Sequence, residues 1–312
     1  MNGLELSRAF FEECGWPMLE QEFLQLLPFL AAGLIGSGSE CLGYDDECSQ
    51  DHDFEPGFCL FLPGEDVVDR RSAFLLERAY AKLPRIFRGF SRPVMLPVGG
   101  ARRGVLRTEE FFLKTVGTGD GRLSAEQWLT LPEQALLEAT DGELYFDNLG
   151  EVTRIRESLR YFPEDVRLKR LAGQLLLTAQ SGQYNYARCL RHGETASARL
   201  AAFEFVNSAL AAVFLLNRRY RPYYKWSFRA LRALPVLGGL SEPLEAILTG
   251  GSPGDAKETK RLIEQVSSSV AAELAAQDLT RVPGDDLERH AYAVNDRIAD
   301  PEIRNLHILA AV

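Results

Sequence analysis

Basic residues are in deficit in this chain of 312: 35 lysines and arginines stand against 44 aspartates and glutamates, a formal net charge of −9. A nonspecific nucleic-acid binder gains affinity by neutralising phosphates and usually carries a basic face. The balance therefore argues against a long nucleic-acid partner, unless a local basic patch overturns it, and sits better with a small, cationic substrate. Cysteines are few and odd in number (Cys14, Cys41, Cys48, Cys59 and Cys189), with no C-x-x-C pair. That excludes a disulfide framework and zinc-finger spacing, and reduced thiols in a cytoplasmic protein are the simplest reading. The first residues, MNGLELSRAFFEECGW, have acids where a secretory signal would have basic residues. No apolar run reaches a comfortable membrane span: the longest, Leu200 to Leu216, is interrupted by Glu204 and Asn207 and is expected to be a bundle helix. Internal repeats and low-complexity tracts are also absent.

What is there suffices for a substantial apolar core. Hydrophobic residues make up 46% and charged residues 25%, ordinary for a folded protein of one large or two smaller domains. Residues 4–32 carry apolar side chains at three- and four-residue steps, a helical pattern that Pro28 kinks or ends. "AAGLIGSGS" reads as a short buried strand running into a small-residue turn. "DHDF" and "FCLFL" read as strand, broken by Pro56-Gly57. "GEDVVDRRSAFLLERAYAKLP" is an amphipathic helix closed by Pro84; "PVMLPV" and "GVLRTEEFFLKTVG" supply a further strand and a helix start, and "ELYFDN" another short strand. From about Val152 the texture turns helical: Val152–Arg160, Pro163–Ser181, Ala187–Tyr220 and Tyr224–Leu237, then the connector "LTGGSPGDAKE" and helices over about 256–278 and 285–299. The pattern is an α/β front half followed by an all-helical back half.

The chemistry concentrates in "GLIGSGSECLGYDDECSQDHDF", Gly33 to Phe54. Gly36, Ser37, Gly38 and Ser39 make a turn whose backbone can approach a ligand closely and whose successive N–H groups form an anion site. Alone, it is equally a plain turn. Asp51 and Asp53, two apart, share one face of a strand; there they repel unless cations intervene, and Mg²⁺ is held by such carboxylates together with substrate phosphates. Alone, they are equally a solvated continuation of Asp45, Asp46 and Glu47. Together, the turn and the pair can hold opposite ends of a nucleoside triphosphate–Mg²⁺ complex.

An apolar strand, G-S, about a dozen residues and D-x-D resemble the signature of the nucleotidyltransferase-fold superfamily, the DNA polymerase β-like enzymes. "LLNRRYRPYYKW" followed by "RALRALP" resembles the helical domain of its small-molecule branch, which includes aminoglycoside nucleotidyltransferases. The resemblance implies an α+β fold: a nucleotidyltransferase-fold domain with a mixed sheet and helices over residues 1–155, and an all-helical bundle domain over 156–312. It implies transfer of a nucleoside monophosphate, usually AMP from ATP, to an acceptor hydroxyl, with up to two Mg²⁺ ions and release of pyrophosphate. Gly36 and Ser37 match the phosphate-binding G-S, with Ser39 assisting. Asp51 and Asp53 match the catalytic metal ligands, and Lys225 is placed to reach the triphosphate. The third carboxylate that the family takes from a neighbouring strand is not clear: Glu109, Glu110 and Asp147 are the candidates, and none has the family's apolar-D-apolar context.

Other residues carry two readings each. Lys225 is a phosphate contact or an exposed lysine over Trp226. Tyr223 and Tyr224 line a cleft or anchor a helix. Glu204 and Asn207 share a helix face, and a salt bridge to another helix competes with contact to an acceptor. Arg188, Arg191 and His192 form a small basic cluster that meets phosphate or solvent, while Arg70 and Arg71 are expected at the surface. His52, pointing away from Asp51 and Asp53, is expected to be a core or supporting residue. Three functions compete: transfer to a small molecule, transfer to a protein or tRNA end as in toxin-type relatives, and nucleotide binding without transfer.

Overall fold

A computed structural model of the chain describes residues 1–46, 54–92, 102–250 and 256–312. It is mixed α+β and divides into two compact units, one of residues 1–123 and 131–160, the other of 124–130 and 161–312.

The first unit opens with helix α1 (Gly3–Phe10), started by a reciprocal cap in which the Asn2 side chain accepts from the Glu5 amide and Glu5 accepts from the Asn2 amide. The helical pattern expected over 4–32, kinked or ended at Pro28, is broken earlier and ends at Glu22. Pro17 has no N–H to give the turn behind it, and the chain widens into a π stretch at Phe11–Gly15 before resuming as α2 (Trp16–Glu22). Gly15 sits against the Phe58 ring, where a side chain would overlap it. After a 3₁₀ turn at Leu27–Phe29, strand β1 (Ala31–Leu34) follows.

Strands β1 and β2 (Cys59–Leu62) are buried at every position, as central strands covered on both faces must be. Helix α3 (Arg70–Lys82), capped by Asp69, follows β2. Next come a short hairpin of β3 (Ile86–Phe87) and β4 (Phe90–Ser91), strand β5 (Gly104–Arg107) and helix α4 (Thr108–Val116). Helix α5 (Ala125–Thr130) lies in the second unit; α6 (Glu133–Thr140), β6 (Glu143–Asp147) and α7 (Glu151–Ser158) complete the first.

The sheet order is β5-β2-β1-β6. β1 is antiparallel to β2, with Gly33 opposite Cys59, and antiparallel to β6, with Leu34 opposite Glu143 and Ala31 opposite Asp147. β2 is parallel to β5, with Cys59 level with Gly104. The β1–β6 register slips between Ala32 and Gly33, and a side chain on Gly33 would overlap the Glu143 carbonyl. One face of the sheet packs on Leu6 and Phe10 of α1 and on Leu76 and Tyr80 of α3. The Tyr80 hydroxyl donates to the Phe58 carbonyl (2.8 Å) and accepts from its amide (3.1 Å), fixing the chain as it enters β2; burial pushes this phenol up to about 12.

The second unit is helical among its described residues: α8 (Glu164–Thr178), a π stretch to Tyr186, α9 (Ala187–Arg191), α10 (Thr195–Leu216), α11 (Tyr224–Arg232), α12 (Ser241–Thr249), α13 (Ala256–Ala276), α14 (Leu287–Asn295) and α15 (Pro301–Arg304). The single helix expected over Ala187–Tyr220 is interrupted, because Gly193 takes a left-handed φ of 75° between α9 and α10. The helix expected from Tyr224 to Leu237 stops at Arg232, ahead of Pro235. Helix α10 is long and apolar enough to span a membrane, and most of it is buried against α8, α12 and α13. In α8, Lys169 is buried without a carboxylate partner among the described residues, its ammonium donating to Asn295 Oδ1 (2.9 Å) and to the carbonyls of Arg304 (3.1 Å) and Leu306 (2.6 Å).

Candidate functional site

The turn Gly36–Ser39 leaves the C-terminal end of β1, beside the end at which β2 begins. Gly36 (φ 116°) and Gly38 (φ 131°) adopt conformations that disfavour any side chain. At Gly38 a Cβ would also overlap Arg102 Nη2 and the Glu40 carboxylate. Among the described residues, the amides of Gly36, Ser37, Gly38 and Ser39 have no hydrogen-bond acceptor. The Ser37 carbonyl accepts from Arg102 Nη2 (2.8 Å), and the Ser39 carbonyl accepts from the Tyr44 amide (2.9 Å). Holding the carbonyls in this way leaves the N–H groups as the turn's uncommitted polar face.

An ion triad braces the turn. Glu40 is 4% exposed, and its Oε1 receives Arg102 Nη2 at 2.6 Å and Arg103 Nη2 in a very short contact. Arg103, 6% exposed, also faces Glu55 (3.6 Å) and donates to the Gly57 carbonyl (3.3 Å). These arginines immediately precede β5, so the triad ties the turn after β1 to the start of a strand two places away in the sheet.

Gly36 and Ser37 open on a cavity of about 780 Å³ whose lining includes the cations Arg78, Arg102, Arg107 and Lys114. Arg78 comes from α3, Arg107 from the end of β5 and Lys114 from α4, which brings Phe111 to 3.6 Å of where a Gly36 side chain would begin. Carboxylates in the lining are Glu77, Glu110 and Glu138. Arg103 is also in the wall, but it and Arg102 are engaged by Glu40 behind it, which leaves Arg78, Arg107 and Lys114 to balance the three acids; an amide-lined turn next to these three cations is suited to a polyanion.

Asp51, Asp53 and His52 lie outside the described residues. Phe54, the next residue in sequence, packs its ring on Phe90 at 4.8 Å, and the chain then runs through Phe58 into β2. Of the third-carboxylate candidates, Glu110 lines the cavity. Glu109 lies instead against Gly119, where its side chain occupies the place of a Cβ. Asp147 is corrected: it pairs with Ala31, at the far end of β1 from Gly36, and its oxygens cap α7 by accepting from the amides of Gly150 (3.0 Å) and Thr153 (2.7 Å). The acid on β6 that does sit at the turn end of β1 is Glu143, and Arg8 holds it through two contacts of 2.5 and 3.3 Å. Among the described residues, no group of three His, Cys, Asp or Glu side chains gathers as a metal cage.

Lys225 is in the second unit, its ammonium 4.9 Å from the Trp226 ring centroid. Asn207 is exposed rather than buried, and Arg221 donates to both its side-chain and main-chain oxygens at 2.9 Å. Glu204 is half-buried. Arg188 donates to the Tyr184 hydroxyl (3.0 Å); Arg191 and His192 are exposed, as are Arg70 and Arg71, and Arg70 pairs with Glu65.

Sequence reasoning did not find Glu40, Arg102 and Arg103, or Lys114. The signal was present for the first three: an acid directly after a small-residue turn and an arginine pair directly before a strand, each too polar for its apolar surroundings unless paired. No significant match to the chain was found among curated proteins or solved structures. Residues 128–227, from α5 through β6 to the first turn of α11, match a domain of unknown function, DUF4037.

Proposed function

We propose that this chain is a Mg²⁺-dependent nucleotidyltransferase that moves a nucleoside monophosphate, AMP from ATP, to an acceptor hydroxyl on a small molecule. In this reading residues 1–155 are a nucleotidyltransferase-fold domain and 156–312 a helical bundle domain. The observation that carries it is the Gly36–Ser39 turn: acceptor-less amides among the described residues, at the end of a buried strand, opening on a cation-lined cavity. That donor set fits a triphosphate. Asp51 and Asp53 would supply oxygen ligands for Mg²⁺, which when bound would neutralise charge on the phosphates and the leaving group. The acceptor oxygen forms a bond to the α-phosphorus, the bond to the bridging oxygen of the β-phosphate breaks, pyrophosphate leaves, and the hydroxyl proton passes to solvent base. Gly36, Ser37 and Ser39 orient the phosphates, and Lys225 adds a cation. The protein is expected to work in the cytoplasm.

A second reading, nucleotide binding without transfer, draws on the capping role of Asp147 and the arginine pairing of Glu143 and Glu40, which leave Glu110, on α4, as the one third-carboxylate candidate in the cavity lining. One experiment separates the readings. The protein is incubated with α-labelled ATP, Mg²⁺ and a small-molecule extract, following pyrophosphate release and label transfer; ATP affinity is measured in parallel. Transfer lost in Asp51→Asn/Asp53→Asn, with weaker ATP binding in Ser37→Ala, is the expected result. Binding without label transfer favours the second reading, and unchanged transfer in the double variant refutes the site.

A further inference from the structure

Between Glu204 and Glu242 the chain has no acid at all, yet it carries six cations: Arg218, Arg219, Arg221, Lys225, Arg229 and Arg232. In a protein of net charge −9 this concentrates positive charge on the turn before α11 and on α11 itself. Among them, Arg218 is paired with Glu164 at 2.7 Å and Arg232 with Glu245, acids from elsewhere in the unit. Lys225, Arg229 and Arg232 recur at four- and three-residue steps and so share one face of α11. Lys225 occupies the first turn, where the helix dipole disfavours a cation and no acid offsets it.

Aromatic rings are interleaved with these charges. Tyr223 and Tyr224 are 52% and 77% exposed, and their rings lie 4.2 Å apart between centroids. Lys225 and Arg229 both approach the Trp226 ring, at 4.9 and 5.8 Å. Rings this exposed do not serve the core. The apolar face of α11, with Ala230 and Leu231, is already buried within the unit, so the exposed face has no aliphatic surface to insert into a membrane. Cations alternating with open aromatic faces are what single-stranded nucleic acid requires: bases stack on rings, and phosphates track the charges.

We propose that α11 and the turn before it bind single-stranded nucleic acid, with bases stacked on Tyr223 and Tyr224 and the backbone passing Arg219, Lys225 and Arg229. This surface lies in the second unit and needs no chemistry; Lys225 is the one residue it shares with the nucleotide-transfer reading, and Tyr223, Tyr224, Arg219 and Arg229 test it independently of that reading. It is the local basic patch that an acidic average conceals.

The test uses the full chain and a fluorescein-labelled oligothymidylate, with anisotropy read at about 50 and about 200 mM salt. The wild type is expected to bind, more weakly at the higher salt. Tyr223→Ala/Tyr224→Ala weakens binding by about 5- to 150-fold for each stacked base lost and leaves the salt slope unchanged. Lys225→Gln and Arg229→Gln each reduce the slope by about 0.7. All these side chains are exposed, so melting temperatures matching the wild type show that the variants are folded. The proposal is overturned by an absence of binding at about 100 μM protein and low salt, or by equal binding in all variants. It is also overturned if a mononucleotide competes as well as the oligomer, which would mark a nucleotide pocket, or if the same residues bind phosphatidylserine vesicles and not the oligomer.

Discussion

Replacing Glu40 with alanine tests whether the ion triad organises the candidate turn. Glu40 and Arg103 are 4% and 6% exposed, so removal of the carboxylate leaves a buried guanidinium whose remaining counter-charge among the described residues is Glu55, at 3.6 Å. Breaking a buried pair from one side costs about 3–5 kcal/mol. The Glu55 contact and the Gly57 carbonyl retain part of Arg103's solvation, which points to the lower end, about 3 kcal/mol. With a urea m value of about 2 kcal/mol/M this lowers the midpoint by roughly 1.5 M. The three tryptophans are Trp16, Trp128 and Trp226, and only Trp16 lies in the first unit. A Trp128→Phe/Trp226→Phe background therefore reports that unit's unfolding by fluorescence. The double replacement Glu40→Met/Arg103→Met removes both charges and should recover most of the loss, because a buried ion pair exchanged for apolar side chains is often neutral. ATP affinity should fall in Glu40→Ala beyond what the residual folded fraction explains, since Arg102 then loses one of the anchors that hold it on the Ser37 carbonyl. A cost below about 1 kcal/mol for Glu40→Ala would refute the triad as a structural brace.

Two further outcomes follow from the titrating groups. Hydrogen bonds from Arg167, and secondarily from Arg218, hold the Glu164 carboxyl down at about 2, from an ordinary 4.5. As the pH falls through that interval the unfolded chain takes up the proton first, so stability present above about pH 4.5 is lost towards pH 2; at 46% exposure the effect is discounted to roughly 1 kcal/mol. Glu164→Gln should flatten this part of the stability–pH curve, followed by Trp128 fluorescence in urea titrations, and an unaltered slope would contradict the assignment. Burial pushes the Cys41 thiol up to about 12 and raises Cys59 as well. At pH 8 both should stay protonated and resist iodoacetamide in the native protein, then react in urea, as read by peptide mass mapping; rapid native labelling of Cys59 would contradict the burial of β2.

Legibility in the sequence followed how local each signal was. β1, β2 and β6 were visible as short apolar or aromatic runs, and α3 as an amphipathic pattern ended by proline, because those signals depend on near neighbours. The breaks in the long helices were not visible. Pro17 was accommodated by a wider helical turn rather than a stop, and Gly193 divided a run whose apolar spacing continues on both sides. At the site, the small-residue turn was readable from composition alone. Glu40 and the Arg102–Arg103 pair were each visible as charges in apolar surroundings, but not as partners: strand order brings them together across about sixty residues. Asp147 failed as a site acid for a geometric reason that an antiparallel register supplies and a sequence does not, since successive residues of β6 move away from the turn as the chain runs forward.

The charge arrangement also bears on what kind of site this is. Binding energy accelerates a reaction only when it grows between ground state and transition state. Arg102 and Arg103 are already committed to Glu40, so they shape the turn and contribute a largely cancelled field. Arg78 and Lys114 are exposed, with no carboxylate bond in the turn's triad, and they enter the cavity from two different helices. Fixed amides at the turn and movable cations across the cavity are therefore separate instruments: the first grips a phosphate in place, the second can follow charge as it shifts towards a leaving group. Both around one cavity are compatible with the transfer proposed above, and a loss of label transfer without loss of ATP affinity in Lys114→Gln is the outcome that would assign the second role to the cations.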